Sequence, residues 1–339
     1  MAHEHPHHTP PTSAAHTSAA PTSATHSAGG HGADGHGAGG HGAGGHGAGG
    51  HGDMLDLDAE VAAPQLADLT SRVAAMAGPV RHILDLGAGT GTGTFALLRQ
   101  FPEATVTAVD TSDEMLHHLA KSASRHGLTD RIRPLLFNLD SGRPATDPAD
   151  LIWASSSMHH MADPDQVLRN IHATLRPGGL FVMLEMEHLP RFLPDTLNPD
   201  PAIGPDPAIG PDPGPGVDPA LGVVSEPGLE ARLHAAAEKM RNEHLPHIGA
   251  DWTTRLASAG FTVREHRTLN VELAAPLPAP ALRYARATLH RFASQVADHL
   301  SENDRTALRQ LLDAEGPHAL ERRTDLTVRS SRDVWISTT

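Results

Sequence analysis

The sequence predicts an α/β protein built on a doubly wound, mostly parallel seven-stranded sheet with helices on both faces and a helical lid. Two observations support this prediction. Short apolar runs, several rich in β-branched residues, alternate with segments of helical periodicity between residues 81 and 186. Several of these runs end at a glycine or an aspartate, as strands do before a turn. Such alternation is typical of a parallel sheet that helices cover on both faces.

The first part of the predicted sheet contains five strands, which cover residues 81–86, 104–110, 132–137, 150–154 and 180–185. Helices separate these strands, and the first of them is predicted over residues 92–101. Ser112 is the predicted N-cap of the next helix, because it precedes Met115, Leu116 and Leu119 at helical spacing.

Residues 164–175 place their apolar side chains at helical spacing and therefore predict a third helix. This helix ends before a Pro-Gly-Gly turn at residues 177–179, which leads into the fifth strand. In the C-terminal part, the pattern predicts helices near 228–243, 250–258, 280–298 and 302–313 and strands at 261–273 and 326–336.

Two segments differ in composition from the rest of the chain. Residues 1–52 hold eleven of the 26 histidines and otherwise consist almost wholly of small residues and proline, so we expect a disordered arm. Residues 194–227 repeat the sequence Pro-Asp-Pro-Ala-Ile-Gly, which excludes helix and central strand and predicts an extended surface loop. We therefore expect one domain over residues 53–339, interrupted by this loop, with a lid within residues 187–248.

Composition excludes several classes of function. The chain has 26 Lys and Arg against 40 Asp and Glu, a formal net charge of -14, which argues against binding to a nucleic-acid backbone. The absence of cysteine excludes disulfides, thiolate zinc sites and cysteine nucleophiles. No apolar run approaches the ~20 residues that span a bilayer, and the N-terminus lacks the features of a secretion signal. We expect a cytoplasmic protein whose partner is a small molecule, without nucleic-acid or membrane binding.

A glycine-rich segment, Asp85-Leu-Gly-Ala-Gly-Thr-Gly-Thr-Gly, follows the first predicted strand and begins a helix. Glycines let a ligand approach the backbone, and the N–H groups at a helix N-terminus bind carboxylates or phosphates. A dinucleotide-binding loop requires the pattern G-x-G-x-x-G. Counted from Gly87 the sixth position is Thr92, and counted from Gly89 it is Thr94. A nicotinamide-dependent oxidoreductase is therefore the weaker alternative.

An acid two residues before a G-x-G-x-G run resembles motif I of the class I S-adenosylmethionine-dependent methyltransferases, which have a Rossmann-like fold. Segments similar to further motifs of this family follow in the family's order, at residues 108–112, 137–140, 150–163 and 175–180. The sequence Leu-Asp-Leu-Asp-Ala-Glu at 55–60 is similar to the preceding N-terminal helix, which we expect near 57–77. The resemblance covers about residues 80–186 and implies S-adenosyl-L-methionine as the cofactor.

The resemblance also implies which residues bind this cofactor. The glycine loop would line its methionine and ribose parts, and Asp85 would orient the loop or meet the methionine ammonium. Asp110 would accept hydrogen bonds from the ribose diol. Asn138, or else Asp140, would contact the adenine edge. The implied set is Asp85, Leu86, Gly87, Ala88, Gly89, Thr90, Gly91, Asp110, Thr111, Asn138, Leu139, Asp140 and Ala154.

Methyl transfer from a sulfonium is an in-line displacement, so the main requirement is the alignment of nucleophile, methyl carbon and sulfur. A base is needed only if the acceptor loses a proton. His159 and His160 follow the fourth strand and are the candidate catalytic residues, because imidazole titrates near neutral pH. Alternatively, one ring packs under the turn and the other lines the pocket. Glu185, Glu187 and His188 are further candidates for a base, and a solvated strand end is the alternative for the two glutamates.

Absences narrow the class of acceptor. The Asp/Asn-Pro-Pro-aromatic motif of amino-group DNA methylation is missing after the fourth strand. Methylation of cytosine C5 and of arsenite depends on cysteine in the families that perform it, and this chain has none. A small organic acceptor is therefore predicted. Phe192, His244, His247 and Trp252 are candidate pocket walls, with placement in the core or on the surface as the alternative.

Two non-enzymatic hypotheses stand beside the methyltransferase hypothesis. The first is metal binding by the arm, because neutral imidazoles on a flexible chain chelate Ni²⁺ or Zn²⁺, although a repeat without function is the alternative. The histidines concerned recur at a spacing of five and are His31, His36, His41, His46 and His51. No metal site is predicted in the folded domain. The second hypothesis is a protein that senses S-adenosylmethionine without catalysis.

Overall fold

The computed structural model describes residues 51–186, 188–194, 228–245 and 247–339. Its helices are α1 (His51–Val61), α2 (Ala63–Met76), α3 (Thr92–Gln100), α4 (Asp113–Arg125), α5 (Pro164–Thr174), α6 (Leu229–His244), α7 (Trp252–Ser258), α8 (Ala279–Val296) and α9 (Glu302–Leu312). Its strands are β1 (His82–Leu86), β2 (Thr105–Asp110), β3 (Ile132–Leu136), β4 (Ala149–Ser155), β5 (Leu175–Glu185), β6 (Thr262–Leu273) and β7 (Val328–Thr338).

These strands form one seven-stranded sheet in the order β3-β2-β1-β4-β5-β7-β6. Strands β1 to β5 pair in parallel, whereas β7 pairs antiparallel with both β5 and β6. The order of connection reverses between β1 and β4, and the carboxyl ends of strands at such a reversal form a crevice in which ligands bind. The predicted fold class is confirmed, because the sheet is mostly parallel and carries helices on both faces.

Alternation along the strands separates the core into two layers. Ile83 and Val182 point to one face, where Leu69 of α2, Leu97 of α3 and Leu119 of α4 cover them. The alternate residues of the same strands point to the opposite face, which α5 and α7 cover. This burial on both faces explains why the strand sequences are continuously apolar.

A further apolar cluster lies beside β6 and β7. Val271 of β6 and Val328 of β7 belong to it together with Leu233 of α6, Leu289 of α8 and Leu308 of α9. The outer side of α1 also packs into this cluster. Helix α1 is therefore held between the α8 region and the sheet, above the carboxyl ends of the central strands.

Several local predictions are confirmed and one is wrong. The Ser112 hydroxyl accepts a hydrogen bond from the Met115 N–H at 3.3 Å and caps α4 as predicted. The Pro-Gly-Gly segment does not precede the fifth strand but lies inside β5. Successive β4 pairings join Ala149 to Leu175 and then Leu151 to Leu180, so the extra residues of β5 form a bulge rather than a turn.

The N-terminal region contains two helices where one was predicted near 57–77. Pro64 lies in the first turn of α2, where its missing N–H costs no hydrogen bond. The helical conformation is interrupted before it, at Ala62. The last two residues of the predicted arm, 51 and 52, are helical, because α1 begins at His51. Gly52 is buried beside Thr90 and His118, which fixes the start of this helix. The rest of the predicted arm lies outside the described residues.

The predicted loop at 194–227 lies outside the described residues except for its first position, and the predicted lid region is described only at 188–194, 228–245 and 247–248. None of the helices in the described part of the chain is long and apolar enough to cross a membrane.

The Asp163 cap of α5 yields a first prediction. Its carboxylate accepts a hydrogen bond from the Gln166 N–H at 2.9 Å. We expect Asp163→Ala to lower the free energy of unfolding by about 1 kcal/mol, because this helix N–H loses its partner. Urea titration followed by circular dichroism measures the change. Asp163→Asn keeps a capping oxygen and is the matched control; equal losses in the two variants would contradict the assignment.

Candidate active site

A cavity of about 510 Å³ opens at the carboxyl ends of β1, β2 and β4. Its walls come from the loop after β1, the end of β2, the segment after β4, and the helices α1 and α2. Strands β5, β6 and β7 contribute the remaining wall. The cavity therefore lies in the crevice that the sheet order predicts.

The glycine loop is shaped by its own packing as well as by the need for open space. Gly87 has a φ of +70°, and a Cβ there would lie 2.5 Å from the Cβ of Ser157. Gly91 is the N-cap of α3 with a φ of 94°, and a Cβ there would meet Leu119 at 2.9 Å. At Gly89, by contrast, a Cβ would meet only Leu55 of α1, at 3.4 Å. Gly89 is therefore the position of the predicted run where the backbone is most open to the cavity.

Asp110 connects this loop to the end of β2. Its Oδ2 accepts a hydrogen bond from the Gly89 N–H at 2.8 Å, and its Oδ1 accepts one from the Ser112 N–H at 2.8 Å. Each carboxylate oxygen has a further lone pair. Because Asp110 also lines the cavity, it retains the capacity to accept hydrogen bonds from a ligand there.

Asp85 lies at the bottom of the same wall and is only 2% exposed. The Thr94 hydroxyl donates a hydrogen bond to its Oδ2 at 2.5 Å. Burial, opposed by the Thr94 hydrogen bond and assisted by the nearby charge of Asp110, raises the pKa of Asp85 to about 6. The side chain is therefore poised to ionise when a cation is placed beside it.

Trp153 is a wall residue that the sequence analysis missed. Its indole is 1% exposed, and its Nε1–H has no hydrogen-bond partner among the described residues. A Cβ at Gly93 would lie 2.6 Å from this nitrogen, so the fourth glycine of the loop is required by Trp153. The apolar context of strand β4 predicted burial of the indole but gave no signal for its unpaired donor.

The segment predicted to bind adenine is only partly on the wall. Leu139 lines the cavity, as does the neighbouring Phe137, which the implied set omitted. Asn138 instead caps its own turn by accepting the Asp140 N–H at 2.9 Å. Asp140 accepts the Ala162 N–H at 2.9 Å. Neither polar side chain is part of the cavity wall, and the expected adenine contact by Asn138 or Asp140 stays a prediction.

Strand alternation accounts for the placement of two further residues of the implied set. Leu86 and Ala154 are paired in the sheet and both point to the α5 face, away from the cavity. Ser155, Ser156 and Ser157 line the cavity in their place. Gly91 likewise lies behind the wall, against Leu119 and Phe95, whereas Ala88, Thr90 and Thr111 lie on it as implied.

The two candidate catalytic histidines occupy different environments. His159 is 7% exposed, and its Nδ1 lies 2.5 Å from Oε2 of Glu185, itself 4% exposed. Oε1 of Glu185 accepts the Met158 N–H at 2.8 Å. The ring of His160 contacts that of His159 with centroids 4.1 Å apart and lies on the cavity wall. Glu185 is thus not at a solvated strand end; it fixes His159 under the turn that carries His160.

The remaining predicted residues that the structure describes lie away from the cavity. His188 is exposed, and Glu187 is outside the described residues. Phe192 and Trp252 are buried in the two outer apolar clusters. His244 is exposed at the end of α6, and half-buried His247 is not on the wall. No group of three or more His, Cys, Asp or Glu that could hold a metal ion occurs within the described ranges.

Comparison with known proteins agrees with this geometry. Residues 84–181 match a family model described as a methyltransferase domain. A malonyl-[acyl-carrier protein] O-methyltransferase from Halalkalibacterium halodurans is 32% identical over 102 residues, which cover 30% of this chain and 38% of that protein. A trans-aconitate 2-methyltransferase from Klebsiella pneumoniae is 34% identical over 125 residues, which cover 37% of this chain and 46% of that protein.

Methyltransferase GfsG from Streptomyces halstedii is 33% identical over 132 residues, which cover 39% of this chain and 46% of that protein. The chain thus spans less than half the length of each of these relatives. The match to the methyltransferase-domain model extends over residues 84–181 of this chain. Its sheet order and its glycine loop resemble those of class I, the S-adenosylmethionine-dependent group.

The raised pKa of Asp85 yields a second prediction. Because its folded-state pKa of about 6 exceeds the value of 3.8 for a free carboxyl, the folded state holds the proton more tightly than the unfolded chain. Stability therefore falls as pH rises through this window. Asp85→Asn lacks this titration and therefore does not lose stability in this way. We expect the free energy of unfolding of the variant, relative to that of the wild type, to be about 1 kcal/mol higher at pH 7.5 than at pH 5.

Urea unfolding of the ligand-free protein at the two pH values measures this gain. Asp147→Asn, which removes an exposed carboxylate, is the control and is expected to show no gain. A gain of the same size in both variants would contradict the burial argument.

Proposed function

We propose that this protein transfers a methyl group from S-adenosylmethionine to a small organic acceptor. The observation that carries the proposal is the position of Asp110, whose carboxylate lines the cavity at the end of β2 while it holds Gly89 of the glycine loop. A carboxylate there accepts hydrogen bonds from both hydroxyls of a ribose diol and repels a 2′-phosphate.

The other wall residues fit the remaining parts of this cofactor. Phe137, Leu139 and Met115 supply apolar surface for an adenine ring. Asp85 offers a carboxylate to the amino-acid end. When bound, the cofactor supplies a methyl group on a sulfonium. The protein's part is to hold the acceptor in line with that group and to exclude water.

His160 is the proposed base where the acceptor has a proton to lose. It lies on the cavity wall after β4, and its ring contacts that of His159, which Glu185 holds at Nδ1. His159 is therefore a positioning residue in this proposal. The similar proteins include a malonyl-[acyl-carrier protein] O-methyltransferase and a trans-aconitate 2-methyltransferase, which supports an acceptor that is not a nucleic acid. The net charge of -14 agrees with this.

Calorimetric titration tests the proposal. We expect S-adenosylmethionine to bind and NAD not to bind. Asp110→Ala is expected to weaken binding by about tenfold or more, because it removes charge-assisted hydrogen bonds to the ligand. Asp110→Asn keeps one accepting oxygen, so its affinity for S-adenosylmethionine is expected to lie between those of the wild type and Asp110→Ala.

Asp113→Ala removes a carboxylate from the first turn of α4, outside the cavity wall, and is the matched control. Thermal unfolding of each variant shows whether the loop is intact. Failure of the wild-type protein to bind S-adenosylmethionine, or unchanged affinity in Asp110→Ala, would refute the proposal.

We propose that the histidine-rich arm takes no part in this function. Because α1 begins at His51, removal of residues 1–50 leaves its helical residues and the cavity wall in place. We expect the truncated protein to bind S-adenosylmethionine with an affinity within about twofold of the full chain. A larger loss, measured by the same titration, would show that the arm contributes to the site.

A further inference from the structure

The cavity extends well beyond the strand end that carries Asp110, where the cofactor is proposed to bind. In the sheet, β7 lies four strands away from β2, which carries Asp110. At about 4.8 Å per strand this separation is about 19 Å. The distant half is lined on the sheet side by Leu184 of β5, Leu269 and Val271 of β6, and Arg332 of β7. If the cofactor occupies the end near Asp110, as proposed above, the acceptor occupies this one.

Arg332 is the distinctive residue of this half. It is 9% exposed, and it is the one Lys or Arg among the described residues of the cavity wall. Its Nη2 donates to both carboxylate oxygens of Asp58 on α1, at 2.6 and 2.5 Å. The side-chain hydrogen bonds that Arg332 donates within the described residues both come from this single nitrogen. A guanidinium has five N–H donors in a planar fork, so its Nε and Nη1 donors are available to a ligand.

Asp58 is held in place from a second side. Tyr284 of α8 lies beside it, and burial and the Asp58 charge raise the pKa of Tyr284 well above 10. The phenol therefore stays protonated next to the carboxylate. With Asp58 fixed by both neighbours, the rest of the Arg332 fork is not needed to anchor α1.

The surroundings of Arg332 select the chemistry of its ligand. The wall around it is otherwise largely apolar, with Leu55 and Leu66 facing Leu184 and Leu269. In such surroundings an unfilled guanidinium donor is best satisfied by a charged oxygen, and a carboxylate matches its planar geometry. The positive sulfonium of the proposed cofactor would also favour an anion in the same cavity.

We propose that the acceptor carries a carboxylate, which binds the Nε and Nη1 donors of Arg332 while its carbon skeleton packs against Leu184, Leu269 and Val271. This inference rests on the proposed function only where it identifies the bound carboxylic acid as the methyl acceptor. The ligand of this site is a small carboxylic acid with an apolar chain.

Calorimetric titration with hexanoate, and with hexanamide as its neutral isostere, tests the inference. Each is titrated into the full chain with and without saturating S-adenosylhomocysteine. We expect hexanoate to bind about tenfold or more tightly than hexanamide in both conditions. Arg332→Gln is expected to remove this preference and leave the affinity for S-adenosylhomocysteine unchanged.

Asp58→Asn separates recognition from a merely structural ion pair. Because it removes a competing negative charge and weakens the hold on Nη2, we expect hexanoate to bind severalfold more tightly. If the ion pair served only to hold α1 in place, the affinity of this variant for hexanoate would be equal to or lower than that of the wild type. Arg283→Gln removes an exposed arginine that pairs with Glu60 of α1 outside the cavity, and it is the matched control.

Equal affinity for hexanoate and hexanamide in the wild type overturns the inference, as does a preference that persists in Arg332→Gln. If Arg332→Gln does not fold, the titration of Asp58→Asn decides the inference. Unchanged or weaker binding of hexanoate to that variant then overturns it. Failure of S-adenosylhomocysteine to bind would count against the proposed function instead. The carboxylate preference of the ligand-free chain would still decide the inference.

Discussion

The shape of the cavity depends on the hydrogen bonds that the Asp110 carboxylate accepts. This carboxylate binds the Gly89 N–H of one loop and the Ser112 N–H at the start of α4, so two connections of the sheet are joined at one point. The parallel register makes this possible, because Leu86 lies opposite Val109 and the two strands end side by side. The N–H groups of Gly87 and Ala88 also bind the Val109 carbonyl. The glycine loop is thus fastened to β2 before any ligand is present.

The sequence predicted the parts of the site that local patterns determine. A strand, a glycine run and an acid at the end of the next strand identify the loop and Asp110 without knowledge of the tertiary structure. It did not predict Arg332 or Trp153 as wall residues, because their positions depend on strand pairings between distant segments. It also placed Leu86 and Ala154 on the wall, although the strand alternation turns both toward α5. The sequence pattern therefore indicates which strand ends form the cavity. It is less informative about which side chains face the cavity.

The charges around the cavity are arranged by position. Asp85 and Asp110 lie at the end that the glycine loop forms, and burial keeps the pKa of Asp85 near 6. The guanidinium of Arg332 lies at the other end, with Asp58 beside it. Buried charges are costly unless they are paired. Asp85 offsets part of this cost through Thr94, and Arg332 through Asp58. The two ends therefore present opposite charges to anything bound between them.

The place of β7 in the sheet has a consequence for the order in which the protein is completed. This strand lies between β5 and β6, although β6 precedes it in the chain. During synthesis, β1 to β5 emerge first and have each other as partners, whereas β6 must wait for a neighbour that is made after two more helices. Pairings between segments so far apart in sequence form slowly. Arg332 belongs to this late strand, so the end of the cavity near Asp110 can be assembled on the ribosome before the guanidinium end exists.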